Sequence, residues 1–182
     1  MELKGQRTLA ADRATAWAAL NDTEVLRLCV PGCESITPIG ANQYEIALTA
    51  AIGPVKARFK GKMELADIDP PNGYTLKFDG SGGPAGFARG DAKVSLSGVG
   101  ASETQLDYLA NAQVGGKLAQ VGSRLVDAAA GAMADKFFAA FGAQLAARVA
   151  PAQAQVPAAP PQATLGFWSL LMAFLKRLFG GR

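Results

Sequence analysis

Few residue types in this chain could do covalent chemistry. The 182 residues contain no histidine, which excludes Ser-His-Asp and Cys-His catalysis and every histidine-ligated metal site. The two cysteines, Cys29 and Cys33, are too few to close a zinc site or to hold an iron–sulfur cluster. Most carboxylates fall in turns or at outward positions, and Glu45 or Asp107 would suggest acid–base catalysis only if buried in a pocket with a raised pKa. We therefore predict no catalytic residues and no metal, with an acid–base enzyme as the alternative.

The positive charge of the chain is confined to its C-terminal end. The net charge is +3, yet residues 1–150 carry equal numbers of basic and acidic residues. Beyond them the charged residues are Lys176, Arg177 and Arg182. A neutral body argues against nucleic acid as a partner, because phosphate binding needs a clustered basic surface. The charged N-terminal residues do not resemble a secretory signal, so we expect a cytoplasmic protein.

The pattern along residues 1–115 predicts mostly antiparallel strands. A first strand precedes two short helices, for which Asp12 and Asp22 are the expected N-caps. The sequence VKARFKGKMEL (55–65) alternates most clearly. Its odd-numbered residues, from Val55 to Leu65, face one way, and a basic ridge of Lys56, Arg58, Lys60 and Lys62 faces the other. Pro and Gly pairs separate five or six such strands, which indicates a meander.

From about Lys117 the period becomes helical. Residues at helical spacing, including Leu125, Met133, Phe137, Phe141 and Leu145, mark one face of a long helix that we expect to end near residue 149. A Pro/Ala/Gln-rich linker over 150–163 and an apolar tail over 164–182 follow. The predicted organisation is a domain at 1–149, the linker and the tail.

The long helix is the only element able to cover the apolar face of such a sheet, so the fold class is α+β with an apolar space between sheet and helix. In one interpretation, large side chains simply fill this space. In the other, small residues such as Ala57, Gly61, Ala88, Gly90 and Ala92 leave room for a ligand. The predicted ligand-binding residues are Leu26, Tyr44, Ile46, Phe59, Met63, Phe78, Phe87, Met133, Phe137 and Phe141.

Three segments resemble the CoxG family of carbon monoxide dehydrogenase subunits, within the helix-grip (START-like, SRPBCC) superfamily. They are EVLRLCVPGCESI (24–36), IGPVKARFKGKMELADIDPP (52–71) and GSGGPAGFARGDAKVSL (80–96). The resemblance implies a curved antiparallel sheet around a long C-terminal helix. It also implies an accessory protein of a molybdenum-containing CO dehydrogenase or related molybdenum hydroxylase. Such proteins are associated with membrane recruitment of the oxidoreductase and with passing its electrons to respiratory quinone.

With this resemblance, the expected ligand is an isoprenoid quinone, menaquinone or ubiquinone, and no covalent cofactor is expected. One hypothesis is a carrier that ferries quinone between bilayer and enzyme. The alternative is a structural recruitment adaptor without a ligand. A third, an enzyme such as a cyclase or aromatase of the same superfamily, would need inward acid–base groups.

The tail is typical of a helix lying in a membrane interface. At about 100° per residue, its bulky apolar residues share one arc, and Ser169 lies with the basic pair in the remaining wedge. A helix docked on a protein is the alternative. The predicted membrane-binding residues are Phe167, Trp168, Leu171, Phe174, Leu175, Lys176, Arg177, Leu178 and Phe179. We expect a peripheral protein on the cytoplasmic face of the inner membrane.

Three local features leave alternatives open. The segment at Cys29 and Cys33 is a tight turn with small buried thiols, a binding surface for the oxidoreductase, or a regulatory disulfide. The loop GSGGPAGFARG (80–90) is a strand bend or a mobile lip of the cavity. The basic ridge is a solvated face or a contact for anionic lipid or an acidic partner.

Overall fold

Seven antiparallel strands form one sheet in the computed structural model, which describes residues 1–154. They are β1 Glu2–Leu9, β2 Cys33–Gly40, β3 Gln43–Ile52, β4 Val55–Asp69, β5 Gly73–Ser81, β6 Phe87–Gly98 and β7 Thr104–Gly115. Their order is β1-β7-β6-β5-β4-β3-β2. β2 to β7 are therefore the predicted meander. β1, the first strand in the chain, pairs with the last strand, β7.

Four helices accompany the sheet in this part of the chain: α1 Arg13–Leu20, α2 Thr23–Cys29, α3 Lys117–Gln120 and α4 Ser123–Ala154. The predicted caps are confirmed. Asp12 Oδ1 accepts from the Thr15 amide at 3.0 Å, and Asp22 Oδ1 accepts from the Glu24 amide at 2.9 Å. Each carboxylate satisfies an amide that the first helical turn leaves free.

The alternation in β4 is confirmed by burial. Its odd-numbered residues up to Leu65 are half-buried, and its even-numbered residues up to Glu64 are exposed. Tyr44 pairs with Met63, and Ile46 pairs with Gly61, so the apolar faces of β3 and β4 coincide. The sheet thus has an apolar face toward the helices and a charged face toward solvent.

The long helix departs from the predicted boundaries at both ends. Gly122, with a φ of 94°, separates α3 from α4, whereas the periodicity predicts one helix from Lys117. An α-helix requires a negative φ, so the helix is interrupted at Gly122. At the other end α4 continues through Ala154, past the predicted end near residue 149. Pro151 lacks a backbone amide to donate within the helix, yet α4 continues past it.

α4 packs its middle turns into the core. Phe141 and Leu145 are fully buried in a cluster with Leu96 and Leu106 of the sheet. Leu125, predicted for the same face, is instead 49% exposed, and Val126 is buried in its place. Two ion pairs hold the helix from outside the core: Arg7 to Asp135 at 2.6 Å, and Arg148 to Asp22.

Residues Met1–Val149 form one compact unit. The linker and tail predictions fall on 150–163 and 164–182, so the tail lies outside the described residues, as does all of the linker beyond Ala154. Within the described residues, no helix is both long and apolar enough to cross a membrane.

Candidate functional site: an apolar cavity

A cavity of about 330 Å³ lies between the sheet, the α1–α2 segment and the middle of α4. All seven strands contribute to one wall, in which Tyr44, Met63 and Leu76 take part. Met133, Ala134, Phe137 and Phe138 of α4 supply the facing wall. The volume lies at the lower end of the range of small-molecule sites, about 300–1,000 Å³. The interior is therefore not completely filled by side chains.

The structure brings together six of the ten residues predicted to bind ligand. These six line the cavity: Leu26, Tyr44, Ile46, Met63, Met133 and Phe137. The other four, Phe59, Phe78, Phe87 and Phe141, do not line it.

The four exceptions have distinct physical causes. Phe59 lies against Gly82, where an added Cβ would be 2.5 Å from its ring. Phe78 pairs with Met63 across β4 and β5 but lies beyond the end of the lining. Phe141 is fully buried in the core cluster and leaves no free surface for a ligand.

Phe87 lies on the opposite face of the sheet from the cavity. It is 38% exposed, and the Arg89 guanidinium lies 5.4 Å from its ring centroid. Adjacent strand residues point to opposite faces, so Phe87 cannot share the face of Ala92 and Val94, which line the cavity. Strict alternation within β6 already places Phe87 opposite Ala92, so the sequence pattern was enough to exclude Phe87 from the cavity.

Several lining residues were not among those predicted. Val30 and Pro31 belong to the turn after α2, Asn21 and Thr23 to the α1–α2 junction, and Tyr108 to β7. Tyr74, Val94 and Phe138 also line the cavity. The alternation of YTLKF (74–78) places Tyr74 and Leu76 on one face, so those two carried a readable signal.

The Pro-Gly-Cys turn forms one edge of the cavity. Gly32 has a φ of 71°, and a Cβ there would come within 2.1 Å of the Thr49 carbonyl oxygen. Cys29 is 2% exposed and Cys33 is half-buried, and both are free thiols. Burial raises the pKa of both thiols, so they stay protonated at neutral pH. These facts favour the interpretation as a tight turn with small buried thiols.

The glycine-rich loop is a bend in the sheet and does not border the cavity. It contains a 3₁₀ turn, Gly83–Ala85, in which the Gly86 amide donates to the Gly83 carbonyl at 3.0 Å, and the Gly82 amide donates to the Gly86 carbonyl at 2.8 Å across the base of the turn. None of its residues is among those that line the cavity. This placement favours the interpretation as a strand bend, and loop mobility stays a prediction.

Small inward residues do not all create room. Only Ala92 of the five proposed for this role lines the cavity. A Cβ on Gly90 would lie 1.9 Å from the Asn111 carbonyl oxygen, and one on Gly61 would lie 2.6 Å from the Asp79 carbonyl oxygen. These glycines permit close approach of neighbouring strands.

The lining is uncharged. No Lys, Arg, Asp or Glu among the described residues contributes to it; its polar members are Asn21, Thr23 and three tyrosines. Burial, with the nearby Tyr44 as a second cause, raises the pKa of Tyr74 to about 12. Its phenol is therefore neutral at physiological pH.

The two carboxylates that could have indicated an acid–base enzyme lie away from the cavity. Asp107 accepts hydrogen bonds from Gln105 at 3.0 Å and Gln6 at 2.9 Å, which lower its pKa. Glu45 is exposed. Over the described residues no group of three or more His, Cys, Asp or Glu side chains could hold a metal ion.

The basic ridge on the outer face is partly paired. Arg58 donates from Nε to Glu34 at 2.7 Å, and Lys62 lies beside Glu45 and Asp79 in the neighbouring strands. Alternating charge is typical of a solvated face. A role for the ridge toward lipid or an acidic partner stays a prediction.

Comparison with known proteins identifies the family. The family model of CoxG, a carbon monoxide dehydrogenase component, matches residues 5–146. The chain belongs to the CoxG family. Membership supports an accessory role beside a CO dehydrogenase. No curated protein sequence matches this CoxG-family chain.

Solved structures confirm the helix-grip fold of the CoxG-family domain. A conserved protein from Geobacillus kaustophilus is 32% identical with a TM-score of 0.76, over 80% of this chain and 95% of that chain. A START superfamily protein from Mycobacterium smegmatis is 13% identical with a TM-score of 0.61, over 79% and 96%. The Zhui aromatase/cyclase from Streptomyces sp. R1128 is 13% identical with a TM-score of 0.62, over 82% and 95%. The last two likenesses concern the fold alone.

Proposed function

We propose that this chain is a membrane-tethered accessory protein of a molybdenum-containing CO dehydrogenase or related molybdenum hydroxylase. In this proposal it carries an isoprenoid quinone, menaquinone or ubiquinone, and so links the enzyme to the respiratory chain. The observation that supports the proposal best is an uncharged cavity of about 330 Å³ inside a CoxG-family domain.

The chemistry of the lining favours a neutral, largely apolar ligand. A charged ligand would lose its hydration inside an apolar cavity without gaining a counter-charge, which is costly. A quinone ring is neutral and flat, and it presents two carbonyl oxygens. Met63 and Met133 on facing walls offer side chains that adapt to an irregular apolar shape.

The cavity size suggests how such a ligand is held. A volume of about 330 Å³ suits a ring and the first part of its chain. In the proposal, the rest of a long isoprenoid chain extends out of the domain. A ligand that is only partly enclosed by the domain suits a carrier, because a carrier must release its ligand.

Membrane attachment is assigned to the tail, residues 164–182, which lies outside the described residues. Its apolar arc and basic pair would place it in the interface on the cytoplasmic face of the inner membrane. The Pro/Ala-rich linker would let the domain move between bilayer and dehydrogenase.

Ligand extraction tests the proposal. We expect the full chain, purified from membranes of a host that makes quinone, to release about one quinone per chain into organic solvent, identified by mass spectrometry and ultraviolet absorption. A chain from which residues 151–182 are deleted should take up added quinone from detergent with the same stoichiometry. An empty chain that also rejects added quinone would leave the ligand-free recruitment adaptor as the function.

A further inference from the structure

All three tyrosines of the chain line the cavity. Tyr44, Tyr74 and Tyr108 lie on β3, β5 and β7, and their neighbours in the lining are mostly aliphatic or aromatic. A filled apolar core would use phenylalanine at such positions, since a buried hydroxyl without a partner is unfavourable.

Tyr74 is the most buried of the three. It is 8% exposed, and Trp17 of α1 packs edge-to-face against its ring with centroids 5.8 Å apart. Among the described residues its hydroxyl takes part in no side-chain hydrogen bond, and every fully buried side-chain polar atom there has a hydrogen-bond partner. The Tyr74 hydroxyl is therefore not fully buried and is free to meet a ligand.

Tyr74 and Tyr44 both line the cavity. The two residues come from different strands of the lining, and Tyr44 is near enough to contribute to the raised pKa of Tyr74. Because the Tyr74 phenol remains protonated, it can donate a hydrogen bond at any physiological pH.

Tyr108 is engaged differently. Its ring stacks on Phe138 with centroids 5.3 Å apart, and its hydroxyl lies over Gly5, where an added Cβ would be only 2.5 Å away. It therefore lies toward the β1 edge of the sheet.

We propose that Tyr74, assisted by Tyr44, is the specificity-determining hydrogen-bond donor of the cavity and holds a carbonyl oxygen of a neutral ligand. This inference rests on the proposed function and adds to it the atom that is recognised. An uncharged cavity with phenol donors accepts a quinone, rejects a carboxylate, and discriminates against a hydrocarbon of equal size. A site that hydrogen-bonds its ligand loses affinity for an analogue lacking the acceptor, because the protein group is then left unpaired.

The test uses the full chain with Trp168→Phe, so that Trp17, which packs against Tyr74, is the sole tryptophan. One probe is a menaquinone with two isoprene units. The other is 2-methylnaphthalene carrying the same chain, and this compound has no carbonyl group. Binding is followed by quenching of Trp17 fluorescence. The carbonyl stretching band of the bound quinone is recorded by infrared difference spectroscopy.

Tyr74→Phe should bind the quinone roughly tenfold more weakly, as expected for one lost hydrogen bond. It should bind the naphthalene unchanged and shift the carbonyl band toward its frequency in hydrocarbon. Tyr44→Phe should show the same changes to a smaller degree. Phe87→Leu is the control and should bind like the parent, because Phe87 lies on the opposite face of the sheet from the cavity. Equal quinone affinity and an unchanged band in Tyr74→Phe would overturn the inference while leaving quinone carriage intact.

If the parent chain binds no quinone, the proposed function and this inference both fail. If Tyr74→Phe does not fold, as judged by circular dichroism, the parent chain alone decides. Equal affinity for quinone and naphthalene, or a bound carbonyl band at its hydrocarbon frequency, would overturn the inference there too.

Discussion

Gly32 is the residue on which the cavity edge formed by Val30 and Pro31 depends. Its positive φ suits glycine, and the Thr49 carbonyl occupies the place of a Cβ. The Thr49 amide also donates to the Gly32 carbonyl at 2.9 Å, so turn and strand β3 are fixed to each other. A change at Gly32 therefore moves lining residues that it does not contact.

We expect Gly32→Ala to lower the free energy of unfolding by at least about 1–2 kcal/mol, the cost of the left-handed conformation alone. The close contact with Thr49 adds to this cost, and quinone uptake should fall. Gly100→Ala is the control, because a Cβ there meets nothing within 4 Å and should change stability by less than about 0.5 kcal/mol. Urea unfolding measures both, and equal stability of the two variants would contradict the description of the turn.

Asp22 makes the stability of the domain depend on pH in the acid range. Its carboxylate caps α2 and accepts from Arg148 of α4, and the hydrogen bond from Arg148 is the first cause of its lowered pKa. A carboxyl whose pKa is lower in the folded state stabilises the fold above its unfolded pKa, and this contribution is lost as the pH falls.

The expected size of this effect is modest because both side chains are more than a third exposed, at 35% and 38%. Asp22→Asn keeps an N-cap acceptor and loses the ion pair, so it should cost about 0.5–1 kcal/mol at pH 7. Between pH 5 and 3 the difference from the parent should begin to shrink, because the carboxyl of the unfolded chain takes up its proton first, while the lowered pKa keeps the folded carboxyl ionised to lower pH. Urea unfolding at pH 7, 5 and 3 tests this, and a constant difference would show that the pair contributes nothing.

At the scale of elements, α4 is both core and cavity wall. Ala134 lines the cavity, whereas Ala132, two residues before it on the same helix, is exposed. Ala134→Leu should therefore fill part of the cavity and reduce quinone uptake at least tenfold. We expect it to leave the free energy of unfolding unchanged or raised, since added methyl groups occupy existing space. Ala132→Leu should alter neither quantity; reduced uptake in both variants would indicate an effect on the helix itself.

Periodicity made most elements predictable. The two capped helices, the alternation of β4 and the inward face of α4 at Met133, Phe137 and Phe141 follow from local residue types. The sequence pattern could not say where core ends and cavity begins. Phe137 lines the cavity and Phe141 does not, although both share one helical face. The difference depends on which strands lie opposite each turn, a tertiary property.

Close interstrand contacts were also beyond the sequence pattern. Gly61 and Gly90 were interpreted as room for a ligand, yet each lies where a neighbouring backbone approaches. An inward glycine is compatible with either situation, because the pattern records only the missing side chain. The prediction that Leu125 faces the core was wrong for a related reason. The chain turns at Gly122, and this changes which residue of the next turn faces the sheet.

At the scale of the whole molecule, the charge distribution separates two tasks. Residues 1–150 are formally neutral, and the net positive charge lies in the tail. A neutral domain enclosing an uncharged cavity has little electrostatic attraction to anionic lipid, so the proposal leaves membrane affinity to residues 164–182. The basic pair and the apolar arc then contribute separately, because only the basic pair responds to salt and to lipid charge.

That separation predicts how the full chain binds vesicles. Deleting residues 151–182 should abolish co-flotation with liposomes and leave a folded domain. Replacing Lys176 and Arg177 together by Gln should weaken binding to anionic vesicles by about 2 kcal/mol, roughly thirtyfold, at about 1 kcal/mol for each basic residue. The same variant should bind zwitterionic vesicles as the parent does, because the apolar arc is intact. Flotation of the truncated chain as complete as that of the full chain would place the membrane contact on the domain and make the basic ridge at Lys56, Lys60 and Lys62 the next surface to mutate.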